Sequence, residues 1–293
     1  MSTPRPRRSV LYMPGANSKA LEKGKTLPAD VLILDLEDSV APEAKAEARA
    51  QVSAVLDSGG YGARELIARV NALATPWGAA DIAALAAKPL AGVLVPKIES
   101  SADVLAADEA LSASGAAADL ALWVMIETPK AILNIRKIAG AARKTRLAGF
   151  VMGLNDLAKE MRARGGADRA PFQTALALSV TAARAYGLVA IDGVYNDIAN
   201  SEGFEAECRQ GFAFGFDGKT LIHPSQIETC NTVFAPSAEE VAWSRAVIAA
   251  FAMPENAGKG VIKVDGKMTE LLHLGEAMRV VAIAEAIEAL GSE

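Results

Sequence analysis

Eight short apolar runs, each followed by a polar turn and an alanine-rich helical pattern, organise most of this 293-residue chain. The runs lie near residues 9–13, 31–36, 66–70, 92–98, 120–126, 148–154, 188–194 and 212–222. Helical patterns lie between them at 41–57, 79–88, 101–112, 129–142, 172–186 and 201–210. Continuous apolar strands that alternate with helices predict a parallel sheet covered on both faces. Eight such units favour an α/β fold of the closed (β/α)8 TIM barrel type over a doubly wound sheet.

The character of the sequence changes after about residue 235, which predicts two parts. Residues 1–235 are expected to form the catalytic barrel and residues 236–293 a C-terminal helical extension, either a flap or lid or an oligomer arm. Within the extension we expect a helix over 238–252, a tight turn at Asp265-Gly266 and a last helix over 269–290. This tail does not add a ninth barrel unit.

Charge and composition exclude several classes of function. The formal net charge is −5, whereas a nucleic-acid-binding protein needs a basic surface, so no nucleic-acid partner is expected. No apolar run reaches the ~18 residues of a membrane span, and the first residues lack the apolar stretch of a signal peptide. Two distant cysteines are consistent with a cytoplasmic protein. With only two histidines, any metal is expected to be a hard ion held by oxygen ligands.

Polar side chains cluster where the predicted strands end. Active sites of such barrels lie at the C-terminal ends of the strands, and nearly every run delivers a polar residue there. The members of this ring are Tyr12, Pro14, Glu37, Asp38, Arg69, Asn71, Lys97, Glu99, Glu127, Asn155, Asp156, Asp192, Asp217 and Lys219. Solvent exposure is the ordinary explanation for one charged strand end. A whole ring predicts a polar site.

Glu127 and Asp156 are the best metal candidates in the ring. Both follow apolar runs, and adjacent barrel strands would bring their carboxylates toward one point. Two protein oxygens leave most of an octahedral shell to water and substrate, the usual arrangement for Mg²⁺. Glu37 and Asp38 either leave their strand for solvent or face this site, where they would orient metal-bound waters. The turn at 153–155 would offer backbone N–H groups to a carboxylate.

A set of motifs in fixed order runs from Arg8 to about Ala282. The motifs are RSVLYMPG (8–15), DLEDSV (35–40), ARVN (68–71), VPKIES (95–100), IETPKAI (126–132), GLNDLA (153–158), DGVYND (192–197), GFDGKTLIHPSQ (215–226) and DGKM (265–268). This set resembles the citrate lyase β-subunit-like CoA-ester lyases of the HpcH/HpaI aldolase superfamily. The resemblance implies a (β/α)8 barrel, a homotrimer or hexamer, Mg²⁺ as cofactor, and a CoA thioester substrate such as malyl-CoA or citramalyl-CoA.

The resemblance also implies roles for single residues. Glu127 and Asp156 match the two metal ligands, and Arg69 matches the arginine that stabilises the thioester oxygen. Glu37 and Asp38 match carboxylates near the waters of the metal. The candidates for binding substrate or CoA are Arg69, Tyr12, Lys19, Lys23, Gly153, Leu154 and Asn155.

Two lysines are candidates for anchoring CoA. Lys23 matches a lysine that contacts CoA phosphates in the family. A relative carries an arginine where this chain has Asn17, and Lys19 is the candidate substitute for that charge.

The implied reaction is Mg²⁺-dependent retro-Claisen cleavage of the C–C bond beside the thioester, giving acetyl-CoA and an α-keto or aldehyde acid. Charge develops on the thioester oxygen, where one donor such as Arg69 is worth roughly 3–4 kcal/mol. In many relatives an aspartate from the neighbouring subunit's tail is the acid/base, and this chain has Glu270 in the matching segment.

Glu270 is one methylene longer than that aspartate, a departure shared with a branch that includes malyl-CoA thioesterase. The longer carboxylate could direct water at the thioester, giving malate and CoA, or perform the same proton transfer as aspartate. A third interpretation makes Glu270 a first-turn residue of the last helix. A further alternative is a citrate lyase β-like subunit that acts on a carrier-protein thioester.

Three other residues have local interpretations. Lys97 could form a Schiff base as in other barrel aldolases, but with a metal pair in place a solvated or hydrogen-bonded role, or a simple pairing with the acidic ring, is favoured. His223 is predicted to fix the loop after the eighth strand, and His273 to be a surface histidine.

Overall fold

The structure is a computed structural model that describes residues 5–291. Within this range, eight parallel strands close into a barrel in chain order, with the last strand pairing back onto the first. The barrel strands are β1 (Ser9–Pro14), β2 (Val31–Asp35), β3 (Glu65–Arg69), β4 (Gly92–Val95), β5 (Ala121–Ile126), β6 (Leu147–Met152), β7 (Val189–Asp192) and β8 (Gly218–Leu221). The α-helices around them are α1 (Ser18–Gly24), α2 (Lys45–Ser58), α3 (Gly78–Leu85), α4 (Ser101–Ala113), α5 (Pro129–Gly140), α6 (Leu154–Met161), α7 (Gln173–Ala185), α8 (Ser201–Phe214) and α9 (Ile227–Val233). The predicted TIM barrel is confirmed.

The last predicted barrel strand, over 212–222, is wrong in its first half. Residues as far as Phe214 continue α8, Gly215 follows with a left-handed φ of 93°, and only Gly218–Leu221 is a strand. The alternating Phe212 and Phe214 imitate a strand pattern. A glycine that reaches positive φ at low cost ends the helix instead.

Successive strand residues point to opposite sides of the barrel wall, because side chains alternate with a period of two. One set packs together as a separate cluster that fills the barrel: Val10, Val31, Ile33, Ile67, Leu94, Trp123, Met125, Val151 and Ile191. The other set packs in the larger core that includes helix residues. Continued to the strand ends, the inward parity falls on Tyr12, Asp35, Arg69 and Glu127. Alternation therefore selects which polar residues can meet inside the barrel mouth.

Asp192 and Lys219 have the outward parity, and the prediction that they belong to the ring around the site is wrong. Lys219 Nζ lies 2.6 Å from Glu207 of α8 and 3.3 Å from Asp192. Arg169 Nη1 lies 2.8 Å from Asp192 on the same side. All four residues are buried. We call them the outer quartet. Its charges compensate one another between the wall and the helices.

Asp217 also leaves the predicted ring, because it precedes β8 and so lies at the amino end of that strand. Its carboxylate accepts from Arg184 Nη1 and Nη2, both at 2.9 Å, and from the backbone N–H of Ala190 at 2.8 Å. The misplaced strand boundary was the reason for the error.

The chain divides into two compact units, one of which is Arg7–Phe234. The other includes the chain from Ala235 onward and contains α10 (Ala238–Ala252), the antiparallel strands β9 (Val261–Val264) and β10 (Lys267–Glu270), and α11 (Leu271–Gly291). Asp265 and Gly266 have φ values of 44° and 83°, so the tight turn predicted at this pair is confirmed. Val247, Ile262, Val264 and Ala277 form its core. Its function as a lid or oligomer arm stays a prediction.

Membrane-spanning helices and the two cysteines were also considered in the sequence. Among residues 5–291, no helix combines the length and the apolar composition that crossing a membrane requires. Cys208 and Cys230 are buried free thiols.

Candidate active site

The carboxyl ends of the barrel strands surround a cavity of about 390 Å³. Its polar wall includes Tyr12, Asp35, Asp38, Arg69 and Asp156. Its apolar wall includes Met125, Met152, Leu154, Val194 and Ile222. A cavity of this size, with a few charged groups on a largely apolar wall, is typical of a small-molecule site.

Arg69 is the central cation of this cavity. Its Nε and Nη2 donate to the two carboxylate oxygens of Asp35 at 2.6 and 2.8 Å, and its guanidinium lies 4.7 Å from the centre of the Tyr12 ring. Burial disfavours the charge, but Tyr12, Asp35 and Glu37 outweigh burial and hold the pKa of Arg69 above its ordinary value. The two parallel hydrogen bonds fix the orientation of a permanently charged group.

Asp35 is a site residue to which the sequence analysis gave no role. Besides Arg69, its carboxylate accepts the backbone N–H groups of Glu37 at 2.9 Å and Ser39 at 3.1 Å. Burial alone would raise the pKa of Asp35, but Arg69 and hydrogen bonding from Ser39 and Glu37 outweigh it and lower the pKa. The available sequence signal was its spacing of two from Ile33, which fills the barrel.

Two buried side chains, those of Lys45 and Asn71, donate hydrogen bonds to the backbone that follows β2. The ammonium of Lys45 donates to the carbonyl oxygens of Leu36 and Glu37 at 2.9 and 2.7 Å, and Asn71 Nδ2 donates to Leu36 at 2.9 Å. These contacts fix the segment that carries the next two carboxylates. Asn71 lies at a strand end as predicted. Its buried side chain binds the main chain of Leu36.

Glu37 and Asp38 differ in environment. The Glu37 side chain is 12% exposed and lies 2.9 Å from Arg69 Nη1, whereas the Asp38 side chain is 68% exposed and lies 3.3 Å from the same nitrogen. Burial raises the pKa of Glu37 to about 8; Arg69 opposes the rise, and the carboxylates of Asp38 and Glu127 add to it. Glu37 therefore titrates near neutral pH, as acid/base catalysis requires. The sequence left open whether both residues enter solvent. Asp38 does so, and Glu37 does not.

Glu127 and Asp156, the predicted metal pair, meet around the ammonium of Lys97. Glu127 is buried directly after β5, and Asp156 lies in the first turn of α6. Lys97 Nζ is 2.8 Å from Asp156 Oδ1 and 3.5 Å from Glu127 Oε1. The two carboxylates thus share one cation position. Of the roles that the sequence left open for Lys97, pairing with the acidic residues of the ring is the one seen here.

The donor set of this pair fits Mg²⁺. Glu127 Oε2 is buried and has no hydrogen-bond partner among the residues described, which is costly for a carboxylate oxygen unless a cation satisfies it. Burial raises the pKa of Glu127 to about 7, although Lys97 opposes the rise. Between residues 5 and 291, no three acidic, histidine or cysteine side chains surround one metal position. Water and substrate oxygens would therefore complete the shell.

Gly153 contributes to the site by its lack of a side chain. A Cβ here would lie 2.5 Å from the Cβ and 2.7 Å from the Oε2 of Glu127. Its N–H donates to the carbonyl of Ile126 at 3.0 Å, so this N–H does not serve a substrate carboxylate as the turn pattern suggested. Leu154 and Asn155 open α6, and the first N–H groups of a helix lack intrahelical acceptors. These two residues keep that candidate role.

The candidate CoA lysines lie outside the cavity wall. Lys19 and Lys23 are exposed on α1, and neither is among the residues that line the cavity. Asn17 caps the same helix, because its Oδ1 accepts the N–H of Ala20 at 3.1 Å. Where a relative carries an arginine, this chain therefore has Asn17, which serves as a helix cap.

Glu270 is the exposed last residue of β10, directly before α11. Its backbone N–H donates to Nδ1 of His273 at 2.9 Å, a contact like the return bond of a capping box. Glu270 therefore precedes the first turn of the helix, and His273 has a capping function. His223 likewise accepts the N–H of Ser225 at 3.2 Å at the start of a short helical turn, as its predicted structural role requires.

Three comparisons with known proteins are informative. The profile of the HpcH/HpaI aldolase/citrate lyase family matches residues 8–224. A (3S)-malyl-CoA thioesterase of Cereibacter sphaeroides is 48% identical over 97% of this chain and 96% of its own length. An L-malyl-CoA/beta-methylmalyl-CoA lyase of the same species is 33% identical over 97% and 96%. The crystal structure of CitE from Mycobacterium tuberculosis, in complex with magnesium, acetoacetate and coenzyme A, gives a TM-score of 0.74 at 30% identity, covering 96% of this chain and 98% of that chain.

Proposed function

The chain belongs to the HpcH/HpaI aldolase/citrate lyase family, and on this premise we propose that it hydrolyses the thioester of (3S)-malyl-CoA to malate and CoA. The observation that carries the proposal is 48% identity to a thioesterase of that name, against 33% to a lyase at similar coverage. The resemblance in the sequence favoured C–C cleavage with hydrolysis as the alternative, and the comparisons favour that alternative. Cleavage to acetyl-CoA and glyoxylate is the second candidate, supported by the family as a whole.

Thioester hydrolysis needs a donor for the carbonyl oxygen, because negative charge grows there when water attacks. Arg69 can provide it. One N–H of Nη2 binds Asp35, and the contacts of Nε and Nη1 occupy three more, leaving one Nη2 N–H without an acceptor among the described residues. Asp35 and the Tyr12 ring hold the guanidinium in place, so little reorganisation is needed during the reaction.

The malyl end of the substrate is proposed to bind at Glu127 and Asp156. Mg²⁺ held by these two carboxylates would supply a Lewis acid for the substrate's carboxylate and hydroxyl oxygens. The N–H groups of Leu154 and Asn155 would donate to the same carboxylate at the start of α6. The phosphates of CoA are proposed to contact Lys19 and Lys23.

A carboxylate must also accept the proton of the attacking water, and we propose Glu270 for this role. Its exposed side chain is one methylene longer than the aspartate that the resemblance implies for many lyases. We expect Glu270→Gln to lower kcat/KM for malyl-CoA hydrolysis by about 10²-fold or more, the usual contribution of a general base. The stabilisation of the protein by Mg²⁺ should not change, which thermal unfolding would measure.

Glu276→Gln is the matched control for that variant. Glu276 is an acidic residue of α11 whose carboxylate pairs with Arg279 at 2.6 Å, and its replacement should leave the rate unchanged. A Glu270→Gln enzyme with wild-type kcat/KM would contradict the role of Glu270. Glu37, which contacts Arg69 and whose pKa burial raises to about 8, would then be the candidate base.

The reaction itself is tested by product analysis. Purified protein is incubated with (3S)-malyl-CoA and MgCl2, and products are separated by chromatography. We expect malate and free CoA. Acetyl-CoA and glyoxylate would instead support the lyase, and the absence of both product pairs would overturn both candidates. A malyl carrier-protein thioester assayed in parallel tests the carrier-protein alternative. The trimer or hexamer and the cytoplasmic location stay predictions.

A further inference from the structure

Lys97 makes three contacts with the two proposed metal ligands. Its backbone N–H donates to Glu127 Oε1 at 2.7 Å. Its ammonium lies 2.8 Å from Asp156 Oδ1 and 3.5 Å from Glu127 Oε1. One residue thus holds Glu127 with both its main chain and its side chain, and joins it to Asp156.

The backbone of Lys97 adopts a conformation that favours glycine. Its φ is +57°, in the left-handed region that costs an ordinary residue about 1–2 kcal/mol. In this conformation the N–H and the ammonium of Lys97 both meet the carboxylate of Glu127. A glycine would adopt this φ without strain and keep the N–H contact with Glu127. The protein therefore tolerates the strain in order to keep the lysine side chain.

The ammonium of Lys97 satisfies charges that would otherwise repel each other. The ammonium lies against both carboxylates, 2.8 Å from Asp156 and 3.5 Å from Glu127, so its positive charge is shared between them. Without Lys97, Glu127 and Asp156 would lose the ammonium that contacts both of them.

We propose that Lys97 is a built-in counter-ion that holds the Glu127–Asp156 pair together in the metal-free protein and is displaced when a divalent cation binds. The inference rests on the proposed function only in taking this pair as the metal site. Like charges repel, so the ammonium beside Asp156 Oδ1 and Glu127 Oε1 opposes a second cation on the same two carboxylates, and each competes with the other for the pair. The side chain of Lys97 is 36% exposed and can move toward solvent when displaced. The lysine therefore lowers metal affinity while it holds the two carboxylates together before a metal binds.

Isothermal titration with MgCl2 tests the competition directly. We expect Lys97→Met and Lys97→Gln to bind Mg²⁺ about tenfold more tightly than the wild-type chain, because the competing charge is gone. In thermal unfolding, both variants should be less stable than the wild type without metal and equal to it in saturating Mg²⁺. Two variants of different polarity guard against a local packing defect.

Lys130→Met is the matched control. Lys130 pairs with Glu99 at 2.8 Å and its side chain is 65% exposed, so its loss should leave Mg²⁺ affinity unchanged. Wild-type or weaker Mg²⁺ affinity in both Lys97 variants would overturn the inference, as would Mg²⁺ binding by neither the variants nor the wild type. Detectable binding by the variants alone would support it. A wild-type chain that binds Mg²⁺ through this pair but releases no CoA from malyl-CoA would overturn the proposed function and leave this inference standing.

Discussion

Replacing Glu127 with glutamine should lower kcat/KM for malyl-CoA by about 10³-fold or more, because several kcal/mol of Lewis-acid assistance would be lost with the metal. Glutamine has nearly the same volume, and its amide oxygen can still accept the N–H of Lys97. The fold should therefore survive. Mg²⁺ should no longer raise the unfolding temperature. CoA release in steady state and thermal unfolding with and without MgCl2 measure the two effects.

Glu99→Gln is the control for this variant. Glu99 is another carboxylate beyond the end of β4, but it pairs with the exposed Lys130 rather than with Lys97. Its replacement should leave both the rate and the response to Mg²⁺ as in the wild type. If Glu127→Gln kept a wild-type rate and Mg²⁺-dependent stabilisation, the assignment of the metal pair would be wrong.

Arg69→Met should have a large effect on both stability and activity. Removing the arginine leaves the buried carboxylate of Asp35, 1% exposed, without its counter-charge. Breaking a buried pair in this way costs about 3–5 kcal/mol of unfolding free energy. The folded fraction should also lose about 10²–10³-fold in kcat, as when a donor to a developing oxyanion is removed. Urea unfolding followed by assays on the folded protein separates the two losses.

Arg8→Met provides a control with the same geometry at the other end of β2. Arg8 donates from Nε and Nη2 to the carboxylate oxygens of Asp30 at 2.9 and 2.8 Å, and Asp30 is also buried. Its loss should cost a similar unfolding free energy with no effect on kcat of the folded protein. A folded Arg69→Met enzyme with wild-type kcat, or an equal loss of kcat in Arg8→Met, would refute the proposed role of Arg69.

The barrel could be predicted from the sequence because continuous apolar runs and their intervening helices leave few alternatives. The meeting of Glu127 and Asp156 could be predicted for the same reason, since neighbouring strands end at one rim. The ring of strand-end charges was too large. Asp192 and Lys219 have outward parity, and the boundary of the last strand was misread. Counting alternate residues outward from the apolar interior would have excluded Asp192 and Lys219 from the predicted ring.

Other features depended on contacts that no local pattern contains. The left-handed backbone of Lys97 follows from where β4 and β5 place it relative to Glu127. The raised pKa of Glu37 depends on burial and on nearby carboxylates, one of which, Glu127, follows another strand. Arg69 could be assigned a role through the resemblance, but its bidentate partner Asp35 could not.

The outer quartet has a consequence for how such a barrel can diversify. Asp192 and Lys219 lie on the far side of the wall from Arg69 and Glu127, and a single layer of backbone separates the two charge systems. Substitutions in the quartet need not touch Arg69 or Glu127, and they reach the cavity only where Lys219 and Asp192 hold the backbone of Gly193, next to Val194. Conversely, the inner rim can accept new acyl groups while the outer charges keep β7, β8 and α8 together. Because side chains alternate between the two sides of the wall, most changes in stability and in substrate preference can arise at different residues.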